Sequence, residues 1–245
     1  VNVFRKLRVS FFSTGDELKS LGESLPEGCV YDSNRYTIFG MLKRIGVEII
    51  DLGVIPDNPA LLEKAFISAS SSSDVIITSG GVSVGEADHT KSVMKKLGDV
   101  DFWKVAMRPG RPMVFGKIWP DSDRISENYS LLFGLPGNPV AVMVTFYVFV
   151  REAIFQMMGS SEFESQLVLV KSAESFKKKP GRTEYRRAKI LKDHDNCPQI
   201  KLTGAQGSGI LSSMSEADCL VVLDHDIVSV KAGDLVPILV FDGLI

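Results

Sequence analysis

The chain has 245 residues, 44% of them hydrophobic and 24% charged, and its 28 Lys+Arg against 30 Asp+Glu leave a formal net charge of −2. That balance offers no basic surface for nucleic acid, and the length predicts one larger and one smaller domain, each able to bury a core. Three cysteines, Cys29, Cys197 and Cys219, are odd in number and far apart; they point away from a disulfide framework or a CxxC zinc site and suit a reducing cytoplasm.

In chain order, residues 1–10 mix Arg5, Lys6 and Arg8 with apolar residues and lack the hydrophobic region and cleavage site of a secretory signal. The missing initial methionine points to a fragment or a processed chain. Residues 7–12 read as a strand, 34–45 as a helix closed by Gly46, and 47–52 as a second strand. Pro59 opens a helix to about residue 69, the serine run 70–73 reads as a loop, 74–78 as a buried strand and 87–97 as a helix. Strands at 102–107, 113–116 and 131–134 follow, then a long helix from Pro139 to about Met158. Its apolar stretch, 140–150, ends at Arg151 and Glu152 and is too short to span a hydrocarbon core, so it reads as a buried helix and no membrane is expected. Alternation of strand and helix predicts an α/β fold with a mostly parallel, doubly wound sheet. Past Gly159 the texture changes to short runs at 166–170, 184–191, 199–202, 219–223 and 235–241, which predict a small all-β barrel or sandwich. The charge run 177–179 reads as a solvated loop.

Five strand ends in the first 140 residues pass into loops rich in glycine, proline and charge: 13–17, 55–59, 80–88, 108–112 and 135–139. In an open parallel sheet the carboxyl ends share one rim where ligands bind, so these loops are expected to converge on a polyanion site. Gly80, Gly81 and Gly85 let backbone amides turn toward a ligand ahead of a helix N-terminus. Neither a Walker motif nor G-x-G-x-x-G is present. Glu17, Asp57 and Asp88 bring carboxylates that suit Mg²⁺ shared with substrate phosphates. The plainer alternatives are an exposed turn at Asp16 and Glu17, a helix N-terminus at Asp57 and Asn58 ahead of Pro59, and a helix cap at Asp88. Arg108 and Arg111 flank a Pro-Gly turn, with Lys104 upstream, and their guanidinium forks suit a phosphate or tetrahedral oxyanion. In the fifth loop Asn138 as cap and Pro139 at the first helical position need no ligand to explain them.

The stretches Ser13-Thr14-Gly15-Asp16-Glu17-Leu18, Tyr31-Asp32-Ser33-Asn34, 79–88, 108–112, 134–139, Pro180-Gly181-Arg182 and Thr203-Gly204-Ala205-Gln206-Gly207-Ser208 together closely resemble the MoeA family, which includes the gephyrin E domain. The resemblance implies a MogA-like domain at 1–159, a C-terminal β domain at 160–245, and further N-terminal domains ahead of this chain that supply dimer contacts. It implies molybdopterin molybdotransferase activity, in which adenylylated molybdopterin is hydrolysed to release AMP in a Mg²⁺-dependent step as molybdate is inserted. By resemblance Glu17, Asp57, Asp88 and Lys104 are catalytic, with Asp57 and Asp88 as metal ligands. Ser79, Gly80, Gly81, Ser83, Arg108, Arg111, Pro136, Gly137, Asn138 and Pro139 bind the pterin substrate, and Arg182 and Ser208 bind molybdate. Family members often carry lysines where this chain has Arg108 and Arg111. The resemblance also implies a homodimer in the full-length form and a MogA-like adenylyltransferase as partner. Alternatives are a MogA-like adenylyltransferase, against which the second domain argues, and a gephyrin-like scaffold.

Overall fold

A computed structural model describes residues 1, 3–82, 89–121, 128–160 and 167–241. Its first layer is a six-stranded sheet of β1 (Arg8–Thr14), β2 (Glu48–Ile55), β3 (Val75–Ser79), β4 (Gly98–Lys104), β5 (Pro112–Ile118) and β6 (Ser130–Leu135). The order is β2-β1-β3-β6-β5-β4. β2, β1, β3 and β6 are parallel, whereas β5 runs antiparallel to both neighbours. β1 and β3 are buried along almost their whole length, which is why they read as continuous apolar runs rather than alternating ones.

Helices cover both faces. α1 (Ser33–Ile45) and α4 (Pro139–Met157) contribute Ile38, Met41, Leu42, Val140, Val144 and Tyr147 to one core cluster; α2 (Pro59–Ser72) and α3 (His89–Leu97) contribute Leu62, Phe66, Val93 and Met94 to the other. Gly46 closes α1 in the left-handed region at φ 84°, where it donates to the Leu42 and Lys43 carbonyls. α4 is long and apolar enough by length and composition to cross a membrane, but 61% of its apolar window is buried in the protein. Its middle, Phe146–Val150, widens into a π-turn. Thr145 Oγ1, at its start, donates back to the Ala141 carbonyl at 2.8 Å, a bond that competes with the helix ladder.

The second unit is a closed barrel of β7 (Val168–Ser172), β8 (Thr183–Lys192), β9 (Pro198–Leu202), β10 (Cys219–Leu223) and β11 (Leu235–Val240), ordered β9-β7-β11-β10-β8 with β8 pairing β9 to close it. The short helix α5 (Ser212–Ser215) lies between β9 and β10. The barrel has its own core of Val170, Ala188, Ile200, Val221, Val236 and Ile238. Its outer residues Met214, Leu220, Val222, Leu239 and Phe241 join the cluster of α1 and α4. Tyr147 and Phe241 stack with ring centroids 5.0 Å apart. This shared apolar contact fixes the barrel beside the sheet, because separating them exposes large side chains to water.

The mostly parallel, doubly wound sheet and the β barrel are as predicted, and the three cysteines are free thiols. Three local readings are corrected. Ser70, Ser71 and Ser72 are not loop but the last turn of α2, their hydroxyls donating to the Ile67 and Ser68 carbonyls three or four residues back; that local bond lets serine stay in a helix whose composition suggests a break. The strand read at 102–107 starts earlier, at Gly98, because it pairs along the whole of β5, from Gly98 opposite Ile118 to Lys104 opposite Pro112, and residue 107 belongs to a different pairing. The run 177–179 is not wholly solvated: Lys178 is buried, and its Nζ donates to the His225 and Ile227 carbonyls at 3.2 and 3.0 Å.

Candidate functional site

The carboxyl ends of β1, β3 and β6 meet at one rim, and β4 reaches the same rim because two antiparallel steps restore its direction. The strand order reverses beside β1, with β2 on one side and β3 on the other, so a crevice opens there.

The first, third and fifth loops touch. Gly80 has φ +90°, and a Cβ on it would lie 2.5 Å from the Thr14 carbonyl oxygen, while a Cβ on Gly137 would lie 3.9 Å from the Gly80 Cα. Only glycine allows so close an approach of backbones. Gly80 N–H donates to the Leu135 carbonyl at 3.2 Å. Asn34, at the start of α1, spans the same junction: its Nδ2 donates to Ser79 Oγ at 2.8 Å and to the Gly137 carbonyl at 2.7 Å. Beside it Asp32 caps α1 by accepting from Arg35 N–H. Asp32 Oδ2 and Asn34 Oδ1 are buried without a partner.

The second loop joins the first through carboxylates. Asp57 Oδ1 accepts from Thr14 Oγ1 at 2.6 Å, and Asp16 Oδ1 accepts from Asp57 N–H at 3.0 Å. Glu17 is exposed, and its carboxyl group folds back over Gly15. The second loop's own helix cap is Asn58, whose Oδ1 accepts from Ala60 and Leu61 N–H. Asp57 is thus free of the capping role that its position suggested. Hard oxygen donors at a rim fit a divalent cation shared with phosphate. Among the described residues no cluster of three acidic, histidine or cysteine side chains forms. Asp88 and Ser83, expected to be catalytic, metal-binding or substrate-binding, lie outside the described residues, as does Gly85.

The fourth loop turns from the sheet to the barrel before returning at Pro112. Met107 and Arg108 pair in parallel with Thr183 and Glu184 of β8, which makes the loop an added strand on the barrel. Among the described residues Arg108 pairs with no rim carboxylate; its ion partner there is Glu184 of the barrel, 3.9 Å away. Glu184 also binds Arg186 at 2.8 Å. Lys104 and Arg111 are exposed at either end of the loop, where Val105 N–H donates to the Arg111 carbonyl.

A cavity of about 230 Å³ sits where these loops meet the barrel, lined by Val82, Arg108, Pro109, Pro136, Asn138 and Ser208 among others. Ser208 reaches it because its carbonyl accepts from Val140 N–H at 3.2 Å, tying the barrel to the start of α4. Asn138 does not cap α4 through its side chain, contrary to the capping expected of it, while Pro139 does take the first turn. The structure therefore brings together Gly80, Arg108, Pro136, Gly137, Asn138 and Ser208. It does not place Arg182 in that lining; Arg182 is exposed on the turn before β8. Asn34, Pro109 and Gln206 were missed as site residues, although the stretches 31–34 and 203–208 had been singled out.

This geometry defines an α/β domain with a cavity at its sheet rim that a β barrel helps to line. The chain matches the model of the probable molybdopterin binding domain over residues 10–156 and that of the MoeA C-terminal region (domain IV) over residues 170–241. It is 41% identical to a molybdopterin molybdenumtransferase of Haemophilus influenzae over 100% of this chain and 59% of that protein. It is 34% identical to gephyrin of Dictyostelium discoideum over 93% of this chain and 35% of that protein. A solved MoeA protein of molybdopterin biosynthesis from Pyrococcus horikoshii superposes with a TM-score of 0.77 at 27% identity, over 98% of this chain and 55% of that one. The chain belongs to the MoeA family, and it spans little more than half the length of these bacterial and archaeal relatives.

Proposed function

We propose that the chain carries the substrate-binding half of a molybdopterin molybdotransferase, inserting molybdate into adenylylated molybdopterin with release of AMP. The observation that supports this reading best is one cavity lined jointly by the fourth and fifth loops and by Ser208 of the barrel, as a reaction joining an oxyanion to a phosphorylated pterin requires. Backbone amides around Gly81 and Gly137 hold the phosphate portion, with Gly80 pressing the loops together behind them. Arg108 and Arg111, with Lys104, hold oxyanions by charge and by their donor forks. Asn34 fixes the third loop against the fifth, so that both stay in place when substrate enters. Asp57 and Asp88 are the residues that would hold Mg²⁺, which supplies neutralising charge beside the pyrophosphate. Glu17 and Arg182 are assigned to catalysis and to molybdate on resemblance alone.

The division at 1–159 and 160–245, the homodimer, the adenylyltransferase partner and the cytoplasmic location belong to the same proposal. The barrel's share of the cavity favours molybdate insertion over adenylylation of the pterin. The test is AMP released from adenylylated molybdopterin with and without molybdate, measured on this chain and on its full-length form. Molybdate-dependent release that Arg108→Ala and Asp57→Ala each lower at least tenfold is expected. Release indifferent to molybdate, or to both substitutions, would reject the reading.

A further inference from the structure

β9 ends at Leu202, which pairs with Ala188. One residue earlier on β8 stands Arg187, and the 203–208 loop wraps around it. The Arg187 carbonyl accepts from Thr203 N–H at 2.9 Å and from Gln206 Nε2 at 3.2 Å, while Arg187 N–H donates to Gln206 Oε1 at 3.0 Å. The side chain completes the wrap: Nη2 donates to the carbonyls of Ala205 and Gly207 at 3.2 and 3.0 Å, and Nε to Ser213 Oγ at 3.1 Å. This loop supplies Gln206 and Ser208 to the cavity. A second cavity of about 190 Å³ adjoins the first, sharing Arg108, Pro109 and Gln206, and Arg187 lines it.

We propose that Arg187 is the positioning residue of the oxyanion site, its guanidinium holding the 203–208 loop so that Gln206 and Ser208 stay at the cavity beside Arg108. The inference rests on the functional reading above. A 1% exposed arginine is costly to bury, and one partner carboxylate is the usual remedy. Here, among the described residues, the partners are neutral carbonyls and a hydroxyl. Burial alone pulls the guanidinium down to about 10, so it stays charged at neutral pH. The second cavity is lined by Arg108 and Arg186 as well as Arg187, with Glu184 as the carboxylate among them, so cations outnumber the anion there and the adjoining space favours an added anion. The planar fork is essential to the loop: it reaches Ala205 and Gly207 from one nitrogen and Ser213 from another, which a lysine ammonium cannot do at once. Ser208 then passes the same order on to α4 through Val140.

The test uses Arg187→Lys and Ser213→Ala in the full chain, with hydrogen exchange, thermal unfolding and calorimetric titration with molybdate. Arg187→Lys is expected to speed amide exchange at 203–208 by about tenfold or more while β10 and β11 are unchanged, and to weaken molybdate binding by a similar factor. Ser213→Ala, which removes one acceptor, is expected to do both to a smaller degree. In turnover the loss is expected in the KM for molybdate, with kcat nearly kept. Folded Arg187→Lys with wild-type exchange at 203–208 would overturn the proposal. So would faster exchange with unaltered molybdate affinity. Absence of molybdate binding to the wild type would instead reject the functional reading, and the exchange result would still decide whether Arg187 holds the loop.

Discussion

Two helices begin with the same Asn-Pro pair, and they begin differently. At α2, Asn58 turns its side chain onto the Ala60 and Leu61 amides and the helix closes on itself. At α4, Asn138 makes no such bond, and Val140 N–H is satisfied by Ser208 of the barrel. The α2 start is a self-contained cap, whereas the α4 start is finished by another domain and lines the cavity. A capped terminus stabilises its own helix, whereas a terminus left to distant partners has backbone groups that a ligand can also satisfy.

The strongest way to break this contrast acts behind the α4 turn. Gly80→Ala puts a Cβ 2.5 Å from the Thr14 carbonyl oxygen at φ +90°, and a loss of about 3 kcal/mol in urea unfolding is expected. Gly181, at φ +93° with nothing within 4 Å of a Cβ, is the control and is expected to lose about 1 kcal/mol on substitution by alanine. A loss at Gly80 no larger than at Gly181 would mean that the loops are not pressed together.

Exchanging the asparagines sharpens the comparison further. Asn138→Ala is expected to weaken substrate binding by about tenfold with under ~0.5 kcal/mol of stability lost, since no cap is removed. Asn58→Ala is expected to cost about 1 kcal/mol of stability with binding kept. Titration of each variant beside its unfolding curve decides, and the reverse pattern would make α4's start the structural one.

The smallest effect is expected far from either turn. Asp74 accepts from Arg5 at 2.6 Å and from Arg8 N–H at 2.8 Å, and the Arg5 bond, ahead of the others, holds its carboxyl group below its usual range. A lowered carboxylate pKa contributes stability that is present above the ordinary carboxylate pKa and is lost as pH falls through the lowered one. Asp74→Asn is therefore expected to lower stability at neutral pH by less than ~1 kcal/mol, the pair being partly exposed, and to flatten the acid limb of the pH–stability curve. A difference that persisted unchanged at the acid end would assign Asp74 a role other than this ion pair.

Much of this was legible in the chain. The apolar runs and their spacing determined both architectures, because burial on two sheet faces needs continuous apolar strands and a barrel needs short alternating ones. The glycine and proline loops marked the rim, since their backbone demands are local. Four things required the fold. That β4 runs toward the same rim depends on two antiparallel steps, which no spacing encodes. That Arg108 faces Glu184 of the barrel, and that Asn138 leaves its helix uncapped, depend on what the barrel brings alongside. Nothing in the sequence marks Arg187 within the run 184–191, yet it is buried under a loop 16 to 20 residues further on. Local pattern fixes what a segment can become, whereas a polar side chain's partner comes from a distant part of the chain, and only the closed structure decides which one it meets.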